Sequence, residues 1–365
     1  MIATCMARNG PTFWPNMSFR ALWLGRARTL FIASLGALAF IFLQLPLPLL
    51  LGPMIACLVA ALSGVSLTSM GELGVYLRTF LGVAVGASLT PEIVGKLPLM
   101  LGSLAFVPVF VLVIGAVGYP LFRHVFGLSH PTAYYAAMPG GLQDMLVFGE
   151  EAGGDVRALS LIHATRVLAI VTIAPFIMSH FWEVDLTRPA GLPAREMEVA
   201  QIILMMIAGG VGWKIAERVG LFGASILGPM ILTAALTLSG VITHRPPAEM
   251  IWAAQLFIGI AVGAKYAGIT LREIKLFVAA GLAYAAGLAL ISLLFIEAVT
   301  ALDFAPALSA TLAFLPGGQA EMVIIAILAG ADLAYVVSHH LLRLVLVILL
   351  APVVARVVRA LGSRR

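Results

Sequence analysis

The sequence is poor in charged residues and has almost no cysteine. Asp, Glu, Lys and Arg form 11% of its 365 residues, whereas about 25% is typical of soluble domains, so a soluble globular protein is excluded. The two cysteines, Cys5 and Cys57, can form neither a disulfide framework nor a cysteine metal cluster. Lys and Arg (22) outnumber Asp and Glu (17), but they gather at the chain ends and between apolar runs. This pattern indicates membrane topology and no nucleic-acid partner.

Long apolar runs take the place of charge, since 61% of the residues are hydrophobic. A helix needs about 20 residues to cross the bilayer core, and the runs fit twelve such segments, including 132–150 and 306–330. The predicted fold is all-α: a polytopic transmembrane helical bundle of two related halves with broken helices and about 10–12 spans. The predicted organisation is a cytoplasmic N-terminal tail (1–27), a first membrane repeat (28–182), a polar linker (183–198), a second membrane repeat (199–357) and a basic C-terminal tail (358–365).

Comparison of the chain with itself indicates an internal duplication. LGPM from Leu51 recurs from Leu227, and GVAVGA from Gly82 matches GIAVGA from Gly259. A third block, 138–175, aligns without gaps to 315–352. Charged residues in lipid cost roughly 2.5–3.5 kcal/mol at a helix centre, so charges kept in both copies predict a shared role. The substrate- or ion-binding candidates are Pro139, Gly140, Gly141, Gln143, Asp144, Asp155, His163 and Arg166, with Pro316, Gly317, Gly318, Glu321, Asp332, His340 and Arg343.

The two Pro-Gly-Gly blocks are expected to break a helix in mid-membrane. Pro139 and Pro316 each remove a backbone donor, and the Gly-Gly pairs tolerate left-handed geometry. Broken helices at corresponding positions of two halves point to a transporter binding site. The alternative is a packing kink at which small residues allow close helix approach.

Asp144 and Glu321 follow these breaks in the first turn of the next half-helix. One interpretation is helix capping, because the macrodipole favours a negative charge there. The other is cation binding or proton transfer by a carboxylate inside the protein. Gln143 adds a donor and an acceptor in the first copy only, where the second copy has Ala320.

The last helix of each half repeats an Asp, a His and an Arg, which helical periodicity places on one face. Arg166 and Arg343 are too far from the helix ends to reach the membrane surface easily, so both are expected to point into the bundle. The alternatives are an anion or proton site and a structural ion pair that fixes helix register. The predicted partners of the two guanidinium groups are carboxylates or carbonyls.

The LGPM and G(V/I)AVGA blocks place small residues at helical spacing, which predicts close helix packing. Pro53 and Pro229 leave a second pair of helix breaks as an alternative. Basic residues near both chain ends predict cytoplasmic termini and an even number of crossings. Twelve crossings give parallel halves, whereas one re-entrant segment per half gives ten crossings and inverted halves, which we favour.

The paired LGPM, G(V/I)AVGA, PGGxxx(D/E)M and HxxR blocks resemble the duplicated bacterial AbrB-type membrane proteins over about residues 28–357. This family is distinct from the soluble DNA-binding regulator of the same name, and its members have also been labelled ammonia monooxygenases. The resemblance implies a multi-pass inner-membrane protein, linked by its label to regulation of gene expression, with no established substrate.

The sequence leaves three functions open. The leading one is a transporter of a small polar or charged solute, with or without proton coupling, because duplication, paired breaks and retained charges all favour it. The alternative is a membrane-embedded regulator of gene expression that acts through a partner. A monooxygenase is disfavoured because the histidines form no repeated metal-ligand motif, so neither enzymatic activity nor a metal or cofactor is expected. The lipid bilayer and a solute are the expected partners, and a homodimer is compatible with the sequence.

Overall fold

The computed structural model describes residues 19–91, 95, 100–187, 191–221 and 223–362. Most of the predicted N-terminal tail and the last three residues therefore lie outside the described residues, as does the side chain of Gln143. Within these ranges every regular element is a helix, so the predicted all-α fold is confirmed.

The described helices follow one another in the same order in both halves of the chain. In the first half they are α1 (Phe19–Phe42), α2 (Pro48–Leu62), α3 (Gly71–Gly86), α4 (Leu101–Val125), α5 (His130–Ala137), α6 (Leu142–Glu151) and α7 (Val156–Phe181). In the second they are α8 (Val199–Arg218), α9 (Ala224–Leu238), α10 (Ala248–Tyr266), α11 (Leu271–Ala301), α12 (Ala307–Phe314), α13 (Gln319–Ala329) and α14 (Leu333–Gly362).

Seven helices among the described residues are long and apolar enough to cross a membrane: α1, α4, α7, α8, α10, α11 and α14. Their outer faces carry large apolar side chains that are exposed in the isolated chain, such as Phe31 (63%), Leu112 (71%) and Leu294 (71%). Exposed apolar surface of this extent requires lipid around it. The protein is a multi-pass membrane protein.

Glycines allow two pairs of neighbouring helices to pack tightly. α1 crosses α2 where Gly36 meets Gly52, and α8 crosses α9 where Gly212 meets Gly228. Because these residues have no Cβ, the two backbones come into direct contact, as in the small-residue crossings typical of membrane helices.

The repeated small-residue blocks also join the two halves. A Cβ on Gly259 in α10 would lie 3.1 Å from Pro53 Cβ in α2, and one on Gly82 in α3 would lie 2.9 Å from Pro229 Cβ in α9. Each LGPM block thus packs on the G(V/I)AVGA block of the other half. Both prolines lie inside continuous helices, so the alternative that they break a second helix pair is wrong.

The segments predicted to span the membrane at 132–150 and 306–330 instead turn back on themselves. Thr132 Oγ1 near the start of α5 accepts a hydrogen bond from the backbone N of Asp155, just beyond α6, at 2.9 Å. Ser309 Oγ and the backbone N of Asp332 make the same link across α12 and α13 at 3.1 Å. Entrance and exit of each hairpin therefore lie on the same side, and the Pro-Gly-Gly block forms its tip.

Contacts between helix ends identify one side of the bundle, here called face A. The first turns of α1 lie beside the α2–α3 loop, since Arg28 Nη2 donates to Ser66 Oγ at 2.5 Å. The starts of α7 and α11 lie together, because Arg157 and Glu273 form an ion pair of 2.7 Å. The end of α10 packs on the second half of α2, where a Cβ on Gly263 would lie 2.7 Å from Cys57 Cβ, and α11 starts a few residues later. Face A therefore carries the first end of α1 and both ends of the first hairpin.

The opposite side, face B, is identified by the other helix ends. The backbone N of Leu47, before α2, donates to the carbonyl of Leu186, after α7, at 3.1 Å. The backbone N of Ala248, at the start of α10, donates to the carbonyl of Leu192, before α8, at 2.9 Å. α1 therefore starts at face A and α8 at face B, which gives the inverted halves that five crossings per half predict.

Candidate functional site

Both hairpin tips converge on a single turn of α14. Arg343 Nη2 donates to the carbonyl oxygen of Gly317 in the second tip at 3.4 Å. A Cβ on Gly140 in the first tip would lie 3.0 Å from Val347 Cγ1, and one on Gly141 would lie 3.5 Å from Leu344 Cδ1. The fold thus brings together the Pro-Gly-Gly blocks from opposite faces of the membrane.

At the helix breaks, side chains donate hydrogen bonds to carbonyl groups in the last turns of α5 and α12. At α5, Tyr284 Oη donates to the Ala137 carbonyl at 2.5 Å and His163 Nε2 donates to the Tyr135 carbonyl at 3.1 Å. Because carbonyl oxygens only accept, the ring hydrogen of His163 lies on Nε2.

The second hairpin has the same arrangement. Ser292 Oγ lies 3.0 Å from the Phe314 carbonyl and 2.8 Å from the Leu288 carbonyl, two acceptors for its one hydrogen, and His340 Nε2 donates to the Leu312 carbonyl at 2.9 Å. The other ring nitrogen of His340 accepts from Arg343 Nη2 at 2.9 Å. In both halves the histidine therefore holds the first half-helix of the hairpin and, in this structure, is a hydrogen-bond donor to the backbone.

We expect Tyr284→Phe to destabilise the first hairpin, because it leaves the Ala137 carbonyl buried without its hydrogen bond. The expected loss is about 1–3 kcal/mol, measured as a lower thermal unfolding midpoint of the purified protein. Tyr119→Phe is the control, since Tyr119 Oη bonds His130 Nδ1 (2.8 Å) at a half-buried position away from the tips. Equal stability of the Tyr284 variant and the wild type would contradict a capping role.

The two repeated acids lie at the third position of α6 and α13, and their carboxylates fold back over the first residues of these helices. A Cβ on Gly318 would overlap the Glu321 carboxylate, and one on Gly141 would overlap that of Asp144. This geometry fits the capping interpretation. Glu321 differs from Asp144 in being buried (7% exposed) and in interacting electrostatically with Arg78 and Arg166.

Asp155 and Asp332 do not belong to the site with their histidine and arginine neighbours, contrary to the prediction from helical phase. Asp155 Oδ1 accepts from the backbone N of Ala158, and Asp332 Oδ1 from that of Tyr335, both at 3.0 Å. They are N-caps of α7 and α14 at the hairpin ends. They share a face with the arginines, but the helix rise of 1.5 Å per residue places them about 16 Å away along the axis.

Arg166 and Arg343 are buried at 3% and 6% exposure, as predicted. Arg343 donates hydrogen bonds to two uncharged groups, the Gly317 carbonyl and the His340 imidazole. Among the described residues, Nε and Nη1 of Arg166 and Nη1 of Arg343 have no hydrogen-bond partner. These contacts do not match the structural ion pair considered from the sequence.

A buried polar cluster was missed by the sequence comparison. Ser103 Oγ of α4 bonds Tyr335 Oη and lies 2.8 Å from His339 Nε2, both on α14. The aligned positions of Tyr335 and His339 in the first half are Ala158 and Ile162. A search for residues shared by both copies therefore cannot find it, and its only sequence signal is the pair of adjacent histidines.

Comparisons with known proteins assign the chain to a family. The family model described as "Transition state regulatory protein AbrB" matches residues 22–359. The chain belongs to this AbrB family. No solved structure matches it, and no group of three or more His, Cys, Asp or Glu side chains that could hold a metal ion lies in the part of the chain that the structure describes.

Two relatives are similar to this AbrB-family chain over large parts of its length. It is 28% identical over 350 residues to "Putative regulator AbrB" of Escherichia coli (strain K12), covering 92% of this chain and 96% of the relative. It is 26% identical over 256 residues to "Uncharacterized protein YhjN" of Bacillus subtilis (strain 168), covering 64% of this chain and 65% of the relative. The family resemblance inferred from the repeated motifs is thereby confirmed.

Proposed function

We propose that this AbrB-family protein is a transporter that moves a small polar or charged solute across the bacterial inner membrane. The observation that carries the proposal is the meeting of two re-entrant hairpins, from inverted halves, beside buried arginines. Inverted repeats with discontinuous helices at the membrane centre are a recurring arrangement of secondary transporters. Charged groups at that depth are costly, and they are found where a solute or an ion passes.

The charge distribution supports an orientation with face A in the cytoplasm. Lys and Arg residues are favoured on the cytoplasmic side of membrane proteins. Face A carries nine described basic residues, Arg20, Arg26, Arg28, Arg123, Arg157, Lys214, Arg218, Arg272 and Lys275, together with the acids Glu72, Glu150, Glu151, Asp155, Glu217 and Glu273. Face B carries the acids Glu183, Asp185, Glu196, Glu198, Glu249, Glu297 and Asp303, with Arg195 and Arg245 as basic residues. The start of α1 and the end of α14 are then on the cytoplasmic side.

The test is an untargeted comparison of solutes taken up by cells with and without the protein, at two external pH values. We expect at least one small solute to differ, and we expect the difference to disappear in Gly140→Leu, because a side chain there displaces the first tip from Val347. Gly287→Leu is the matched control, since a Cβ on Gly287 has no neighbour within 4 Å.

Equal solute profiles at both pH values, with the protein present in the membrane, would contradict transport. They would favour the alternative function, a regulator that acts through a partner, which the name of the Escherichia coli relative suggests.

A further inference from the structure

The buried charges around the hairpin tips are unbalanced. Arg166 and Arg343 occupy equivalent positions in the two halves and interact electrostatically with each other. Arg78 adds a third cation near Glu321. Two carboxylates are repeated at the tips, and both Asp144 and Glu321 fold over the N-terminus of their own half-helix. Among the described residues of the tips, cations therefore outnumber acids.

The two repeated guanidinium groups also have unused donors. Three of their N–H-bearing nitrogens are buried and lack a hydrogen-bond partner among the described residues. A buried charge without partners is costly, so it is retained where something else satisfies it for part of the time. A guanidinium group is a planar fork whose donors match the two oxygens of a carboxylate or a phosphate.

From this geometry we propose that the solute is a small anion with a carboxylate or phosphate group, bound between the hairpin tips by Arg166 and Arg343. The statement that this anion is transported rests on the proposed function. The binding of the anion itself requires no transport. A cation is disfavoured because it would approach two guanidinium groups that keep their protons at neutral pH.

Replacement of Glu321 distinguishes an anion site from a cation site, because it should change the affinity in opposite directions in the two cases. Its carboxylate interacts electrostatically with Arg166, so its negative charge opposes the binding of an anion there. Glu321→Gln removes that charge and is expected to tighten anion binding by about tenfold. If the site bound a cation, the same substitution would weaken binding, because it removes the buried carboxylate.

The experiment measures binding to the purified full chain in lipid nanodiscs by thermal shift and calorimetry. The probes are sodium succinate and sodium phosphate, which distinguish a carboxylate from a phosphate, with sodium chloride and choline chloride at equal ionic strength. We expect succinate or phosphate to raise the unfolding midpoint of the wild type, and the chloride salts to have no such effect. A response to choline alone, or to none of the probes, would overturn the proposal.

Arg166→Gln and Arg343→Gln are expected to weaken binding of the active probe by roughly 30-fold or more, the effect of losing one side of a buried charge pair. Arg157→Gln is the matched control on the same helix as Arg166, because Arg157 pairs with Glu273 at face A. If an arginine variant fails to fold, the direction in which Glu321→Gln changes the probe affinity still distinguishes an anion site from a cation site. Unchanged affinity in both folded arginine variants would overturn the site.

The proposal and the transport function can fail separately. Probe binding that depends on the arginines, without uptake into proteoliposomes, would keep the anion site and reject transport. Uptake of a cation that is unaffected by Arg166→Gln and Arg343→Gln would keep transport and reject the anion site.

Discussion

Replacing Glu321 with Gln is expected to abolish the pH dependence of solute uptake, whereas replacing Asp144 with Asn is expected to leave most of it in place. Glu321 is buried and interacts electrostatically with Arg78 and Arg166. Asp144 is half-buried, in a helix that also carries the exposed Glu150 and Glu151. Protonation of Glu321 removes a negative charge that acts on Arg166, so an anion should be bound more strongly and uptake by the wild type should rise as the external pH falls.

The measurement is initial uptake into proteoliposomes across a range of external pH, with exchange of labelled solute at equal pH on both sides as the internal control. Glu321→Gln should give a flat pH profile while exchange persists, because the amide keeps the shape of the protonated carboxyl group. If Glu321 serves only as a helix cap, the pH profile should keep its shape and stability should fall by roughly 1 kcal/mol.

The duplication made much of this site predictable from the sequence. Arg166 and Arg343 stand out because charged side chains in lipid are lost unless they have a role. The two Pro-Gly-Gly blocks stand out because proline and glycine interrupt a helix. Both arguments depend on the properties of individual residues at repeated positions, and one sequence with an internal duplication is enough to find them.

The sequence favoured one re-entrant segment in each half, but it did not identify which segment that is. Residues 132–150 are long and apolar enough to cross the bilayer, so length favours a span. The chain turns at the break between α5 and α6, and the hydrogen bond between Thr132 Oγ1 and the backbone N of Asp155 joins the two ends of the hairpin. The capping role of Asp155, whose Oδ1 accepts from the backbone N of Ala158, was not predicted because helical phase gives the direction of a side chain but not its depth along the axis.

The two hairpins differ in how deeply they are packed, and their sequences account for it. α13 is apolar throughout after Glu321 and has buried residues from Ala320 to Ala326. α6 has Glu150 and Glu151 where the second copy has Ile327 and Leu328, and its Val147 is 47% exposed. The duplication therefore preserved the tips while one return helix adapted to water or lipid headgroups and the other to the protein interior.

The crossing of α8 and α9 is expected to tolerate no side chain, so Gly228→Leu should prevent formation of a stable fold. A Cβ on Gly228 would lie 2.6 Å from Ala216 Cβ and 2.8 Å from the carbonyl carbon of Gly212, with backbone rather than a flexible side chain as its neighbour. Overpacking of this kind costs about 1–3 kcal/mol, and more when two backbones must separate.

The yield of monodisperse protein in detergent and its thermal unfolding midpoint measure the effect. Gly287→Leu adds the same side chain to α11 at a position with no neighbour within 4 Å of the Cβ, so it should match the wild type. Because α9 packs on Gly82 of the first half through Pro229, loosening the α8–α9 crossing should also loosen the contact between the halves. A Gly228→Leu protein with the stability of the wild type would show that the helices do not approach at these glycines.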